Sequence, residues 1–251
     1  MRAWIIGNGP SLRQHLERGD FDLLHQRGEV TFAMNKIHLL YELGDTSWVP
    51  TNYLFFEAMG NAARLETYDW VPYVSGWIKS GVRCYIDETF RPRLLSEFGA
   101  PNVQPVYWKD ERRADGIFDN VIWVRRWICH GASALHEKRP ESWHLPEMCC
   151  YGGSMNIAAQ LAFMLGHEPV YLIGCDLGFQ DDRGADADPN HFHPDYWTAD
   201  DFPLSTRDTT LRHMHSIIRK EFEKMGRHIY NAGIGGKLDV YERVDLREVL
   251  E

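Results

Sequence analysis

The densest chemistry in the chain is a seven-residue run, Asn190-His191-Phe192-His193-Pro194-Asp195-Tyr196. Two imidazoles two residues apart, with a carboxylate and a phenol beside them, can supply a general base near neutral pH or donors to a phosphate. The same imidazoles could hold a metal together with Asp181, Asp182, Asp186 or Asp188, or the stretch could be a solvated acidic loop. Upstream, Cys175-Asp176-Leu177-Gly178 follows the apolar run VYLIG. A carboxylate at the carboxyl end of a strand is a common active-site placement. The other reading of Asp176 is structural, as the cap of the loop that follows.

The amino terminus carries a third candidate, Gly7-Asn8-Gly9-Pro10-Ser11, between the apolar run AWII and a helical pattern. Ligands of open α/β sheets sit beyond the carboxyl ends of strands. Glycines there let backbone N–H groups approach an anion, and the start of the next helix favours negative charge. Asn8 adds an amide, Pro10 stiffens the turn, and Ser11 is a natural helix cap. The stretch fits neither GxGxxG nor GxxxxGK[ST], and a plain strand-to-helix turn is the simpler alternative. Asn35 and Asn52 are read as standing near the carboxyl edges of the second and third strands. Three asparagines so placed could converge on one ligand, because a buried amide needs partners that a sugar, base or phosphate can supply. Gly152-Gly153-Ser154 opens a helix rich in small residues and offers a second anion-binding turn.

These candidates need elements to hold them. Buried-strand patterns are read at 2–6, 30–34, 51–57, 71–75, 82–86, 102–108, 168–179 and 228–232, and helices at 11–19, after residue 35, at 57–66, 152–166 and 206–226. Strand then helix, repeated, predicts an α/β fold: a mostly parallel Rossmann-like sheet flanked by helices, in one domain spanning 1–251. Residues 109–150 break the rhythm and read as an inserted lid or small subdomain, or else as an ordinary long connection. Residues 176–206 form a long loop, and loops of that length are usually functional or disordered. In the helix at 206–226, Leu211, Met214, Ile218, Phe222 and Met225 share one stripe.

Composition narrows the function classes. A net charge of −9 over 251 residues argues against a general nucleic-acid binder, though a pocket can still be locally positive. The five cysteines are odd in number and lack CxxC spacing, which predicts reduced thiols in a cytoplasmic protein, not a zinc site or a disulfide frame. Neither a leader nor a spanning run of ~18 apolar residues is read. Peripheral membrane contact and homo-oligomerisation are left open.

Taken in order, GNGPSL, Asn35, Asn52, GGS, LIGCD, the His/Tyr loop and the closing IYNAG resemble the bacterial sialyltransferases of glycosyltransferase family 42. They also resemble the broader MptE-like group, named for 6-hydroxymethylpterin diphosphokinase. The sialyltransferase resemblance implies a CMP-sugar donor, a glycan acceptor, inverting transfer in surface-glycan synthesis, and no required metal. It places Gly7, Asn8, Gly9, Ser11, Asn35, Asn52, Gly153 and Ser154 around the nucleotide. It makes a loop histidine the general base, with His193 preferred over His191, and assigns Asp176 and Tyr196 to the catalytic set. Gly178 stands where that family has a phosphate-holding tyrosine. The MptE-like alternative implies Mg²⁺-ATP and a carboxylate metal site; Asp186-Ala-Asp188 resembles the DxD of many glycosyltransferases. A third reading is a nucleotide-binding module without catalysis.

Overall fold

The computed structural model describes residues 1–56, 70–99, 119–127, 145, 147–149, 153–179, 188–196 and 205–251. Eight strands form one sheet: β1 (Ala3–Ile6), β2 (Val30–Met34), β3 (Asn52–Phe55), β4 (Arg83–Asp87), β5 (Val121–Trp127), β6 (Glu147–Cys149), β7 (Val170–Ile173) and β8 (Ile229–Asn231). Their order is β6-β5-β4-β3-β2-β1-β7-β8 and every neighbouring pair is parallel. β1, β3 and β7 are buried along their whole length, as expected for a parallel sheet covered on both faces.

Alternation along each strand feeds two cores. Trp4 and Ile6 face a core that also holds Leu12, Phe21, Leu40, Val74, Leu94 and Leu246. These come from α1 (Leu12–Glu17), α2 (Asp20–Gln26), α3 (Leu40–Leu43), α4 (Val71–Lys79), α5 (Arg91–Glu97) and α8 (Leu246–Leu250). Ala3 and Ile5 face the opposite core, built from α6 (Ser154–Met164) and α7 (Ser205–Lys224) through Ile157, Leu161, Met214, Ile218 and Phe222. The chain lays down β1 to β6 outward in one direction, then returns to place β7 and β8 on the other side of β1. The order therefore reverses between β1 and β7, the position at which open α/β sheets form their ligand crevice.

Several sequence readings change. Residues 71–75 are helical, not a strand: Val71, Val74, Ser75 and Ile78 are the buried positions, a helical repeat, and Pro72 stands at the helix start where its missing N–H costs nothing. Asn52 opens β3 at its amino end, pairing with Phe32, so it lies at the opposite edge from Asn35. Within the segment expected as a lid, 121–127 and 147–149 are strands of the main sheet; its remainder, like the strand at 102–108 and the helix at 57–66, falls outside the described residues. On α7 the buried stripe is Met214, Ile217, Ile218 and Phe222, whereas Met225 lies past the helix end and is 54% exposed. Cys149 is disulfide-bonded, to a partner outside the described residues, while Cys84 and Cys175 are free. Five reduced thiols was therefore wrong, since composition counts thiols but not which ones the fold brings together. Among the described residues no helix is long and apolar enough to cross a membrane.

Candidate functional site

The turns after β1 and β7 interlock. Gly7 N donates to Ile173 O at 2.9 Å and Gly9 N to Gly174 O at 2.8 Å. A Cβ on Gly7 would collide with the Gly174 carbonyl, and one on Gly9 with the Asp176 carboxylate. Gly174 holds φ +64, and a Cβ there would meet Leu12 and the Gly7 carbonyl. These glycines are thus required by the close approach of one turn to another. The Asp176 carboxylate accepts from Ser11 N at 2.8 Å and from Ser11 Oγ at 2.6 Å. Ser11 makes no side-chain cap bond of its own. A carboxylate from β7 therefore sits at the start of α1, the place where an anion was expected. The Asp176 carbonyl further accepts from Lys237 N and Leu238 N, tying the glycine turn after β8 to the same junction. Burial and the Asp176 carboxylate push the Cys175 thiol up to about 12, so it is no nucleophile at neutral pH.

Beside this junction lies an asparagine pocket. Asn8 donates its amide to Met34 O at 3.3 Å, while its Oδ1 is buried without a hydrogen-bond partner. An orphaned buried carbonyl oxygen is costly unless something donates to it. Asn35 adopts φ +50, in the left-handed region that asparagine tolerates. Its amide donates to Ser154 Oγ at 3.2 Å and its Oδ1 accepts from Phe56 N at 3.2 Å. Tyr53 OH donates to the Asn35 carbonyl at 2.7 Å and steadies the turn. Asn8, Asn35 and Ser154 are thus gathered at one edge, with Gly153 (φ +108) leading into α6. Asn52 is not among them. Its amide is bonded to Thr31 O and Thr51 Oγ1 at the amino end of the sheet, because Asn52 is the first residue of β3 and not near its carboxyl edge as expected. Gly152 lies outside the described residues.

The histidine run is fastened over this edge. Phe192 is fully buried and Tyr196 nearly so, both in the core under α1 to α5. Phe192 N donates to the Asn8 carbonyl at 3.0 Å, Arg13 Nε to the Phe192 carbonyl at 2.6 Å, and Lys36 Nζ to the Tyr196 carbonyl at 2.8 Å. The two imidazoles then differ. His191 Nδ1 is 2.7 Å from Asp188 Oδ2, and its ring stacks on Tyr196 at 4.1 Å with 3° between planes. Asp188 Oδ1 accepts from Asn190 N, which fixes the carboxylate. With Nδ1 donating to a carboxylate, Nε2 is the basic nitrogen of His191. His193 Nδ1 instead accepts from Asp195 N at 3.2 Å, so the neutral ring carries its proton on Nε2, which faces Glu42 Oε2 at 3.6 Å. In their neutral forms His191 therefore carries its proton on Nδ1 and His193 on Nε2. Asp186 lies outside the described residues, both Asp188 oxygens are engaged, and no group of three metal-ligating side chains occurs among the described residues.

Arg13, Lys36 and Glu42 were not foreseen. Lys36 had a signal, since it directly follows Asn35 at the carboxyl end of β2; Arg13 and Glu42 reach the loop only through folding. No protein-family model matches the chain, and the comparison with curated proteins finds no match. Among solved structures the chain is similar to the MAf glycosyltransferase from Magnetospirillum magneticum AMB-1, with a TM-score of 0.49 and 14% identity over 98% of this chain. It spans 34% of that protein's chain, about a third of its length.

Proposed function

We propose that the protein is a nucleotide-dependent transferase, an inverting glycosyltransferase that passes a sugar from a CMP-activated donor to a glycan hydroxyl in surface-glycan synthesis. The observation that carries this reading is the Asp188–His191 pair, held at 2.7 Å on a loop bonded directly to the Asn8 turn. His191 Nε2 takes the proton of the acceptor hydroxyl. The acceptor oxygen bonds to the anomeric carbon as the bond from that carbon to the phosphate oxygen breaks, and the electron pair leaves with the nucleotide. Asp188 stabilises the imidazolium that forms. This assigns the base to His191 in place of His193, because a ring whose Nε2 bears the proton cannot accept another there.

The donor's neutral parts belong in the asparagine pocket. Asn8 Oδ1 calls for a hydrogen-bond donor, which a base amine or a ribose hydroxyl provides and a phosphate does not. Asp176 already places negative charge at the start of α1, so the phosphate belongs nearer Lys36 than the GNGPSL turn. No divalent cation is required by this scheme.

Thermal-shift measurements with CMP, CDP, UDP and ATP, each with Mg²⁺ and with EDTA, test it. CMP at a hundredfold excess over its Kd is expected to stabilise the fold by about 2.7 kcal/mol, independently of EDTA. Stabilisation by ATP alone and only with Mg²⁺ would overturn the reading in favour of a diphosphokinase. CMP stabilisation without any glycosylated product by mass spectrometry would reduce the protein to a binding module.

A further inference from the structure

A second cluster lies on the other side of the β2 turn from the asparagine pocket. Asn35 and Lys36 are adjacent but diverge: Asn35 bonds Ser154 at the start of α6, whereas Lys36 bonds the Tyr196 carbonyl. Beyond Lys36 a 3₁₀ turn, Ile37–Leu39, carries His38, and α3 directly after it carries Glu42. His38 stacks on Tyr73 of α4, with ring centroids 3.6 Å apart and 17° between planes. His193 brings its Nε2 to 3.6 Å from Glu42. Burial, with Lys36 and His193 nearby, lowers His38 to about 3 and keeps it neutral.

His38 and His193 are buried, but Tyr73 is 40% exposed and the Glu42 side chain 56% exposed. One face of the Tyr73 ring is covered by His38, which orients it. The surface thus combines a fixed aromatic ring, a carboxylate that only accepts hydrogen bonds, and a buried imidazole N–H that donates. An anionic ligand would face Glu42 at close range. A flat aromatic ligand would stack but offer no hydroxyl protons to the exposed Glu42 carboxylate. A pyranose matches all three, because it has an apolar C–H face for the ring, hydroxyl protons for the carboxylate and hydroxyl oxygens for the N–H.

We propose that Tyr73, Glu42 and His193 form a saccharide subsite, the acceptor side of the transferase, adjoining the loop that carries His191. The role as acceptor site rests on the transferase reading; the saccharide chemistry does not. Saturation-transfer NMR titrations of the full chain with methyl β-glucopyranoside, methyl β-galactopyranoside and methyl N-acetyl-β-glucosaminide test it. At least one is expected to bind, with affinity falling about tenfold in Tyr73→Ala and in Glu42→Gln and staying within about twofold in Tyr73→Phe, which keeps the stacking ring. Absence of binding by all three glycosides overturns the proposal. So does unchanged affinity in the Ala and Gln variants, or a loss in Tyr73→Phe as large as in Tyr73→Ala. Thermal shifts with CMP on the same samples separate the two readings. CMP stabilisation without glycoside binding sinks the subsite alone, whereas glycoside binding lost in Tyr73→Ala without CMP stabilisation supports the subsite and sinks the transferase.

Discussion

The β1–β7 junction and the histidine loop meet at one hydrogen bond, Phe192 N to the Asn8 carbonyl, yet they are built on opposite lines. At the junction the polar groups are consumed by the fold: Gly7 N and Gly9 N donate to β7 and its turn, and the start of α1 takes the Asp176 carboxylate. In the loop the apolar side chains Phe192 and Tyr196 and the backbone are the anchors, and each imidazole has its Nδ1 fixed by a neighbour, Asp188 for His191 and the Asp195 N–H for His193. The stretch that most resembles a ligand-binding turn is mainly a joint, and the stretch that resembles a solvated loop carries the oriented chemistry. A glycine-rich turn can be glycine-rich because two turns must touch, with no ligand involved.

That contrast can be broken at either end. The largest effect is expected from His191→Ala, which should reduce transfer about 10²–10⁴-fold while leaving the urea midpoint nearly unchanged. His193→Ala should cost less turnover; a larger loss there would restore His193 as the base. Next, Gly174→Ala adds a methyl group against Leu12 and the Gly7 carbonyl at φ +64. It should destabilise the fold by about 3 kcal/mol or more in urea denaturation, and a loss under 1 kcal/mol would mean that the turns are not interlocked. Asp176→Ala removes the partner of Ser11 N and Oγ and should cost about 2 kcal/mol of stability. Turnover lost at wild-type stability would instead return Asp176 to the catalytic set.

The smallest effect concerns pH. His215 is buried on α7 beside Tyr241 OH, and burial, with Arg212 nearby, lowers it to about 3. Its folded value lies below its unfolded one, so its contribution is complete above about pH 6.5 and is lost as pH falls from there towards 3. The unfolded chain binds the proton first, giving a slope of up to about 1.4 kcal/mol per pH unit in that window. His38, lowered to about 3 in the histidine-loop region, adds a slope of the same sign. His215→Gln should flatten the dependence of urea stability between pH 5 and 6.5, as about half of the combined slope.

Most strands could be read from the chain because a parallel strand buried on both faces needs an unbroken apolar run, and VTFAM and VYLI are such runs. Residues 71–75 misled because VPYV is rich in strand-favouring side chains, while the helical burial repeat emerges only when α4 packs on the sheet. Asn35, Asn8 and Ser154 were legible as a set because strand ends and helix starts can be located along a chain. Asn52 was misplaced because it stands near the start, not the end, of the apolar run at 51–57; as first residue of β3 it lies three residues, about 10 Å, from the carboxyl edge.

The amino-acid sequence by itself determined the parallel α/β class, the turns that lie at its carboxyl edge, and the identity of the groups able to do chemistry there. These follow from local patterns: apolar runs, glycine turns, and side-chain types. Only the tertiary structure decided what each group is paired with. Asp176 and Ser11 are 165 positions apart, and His193 and Glu42 are joined across most of the chain. Whether a carboxylate caps a helix or serves a substrate, and which nitrogen of an imidazole keeps its proton, depends on partners that the sheet order β2-β1-β7 brings within hydrogen-bonding reach.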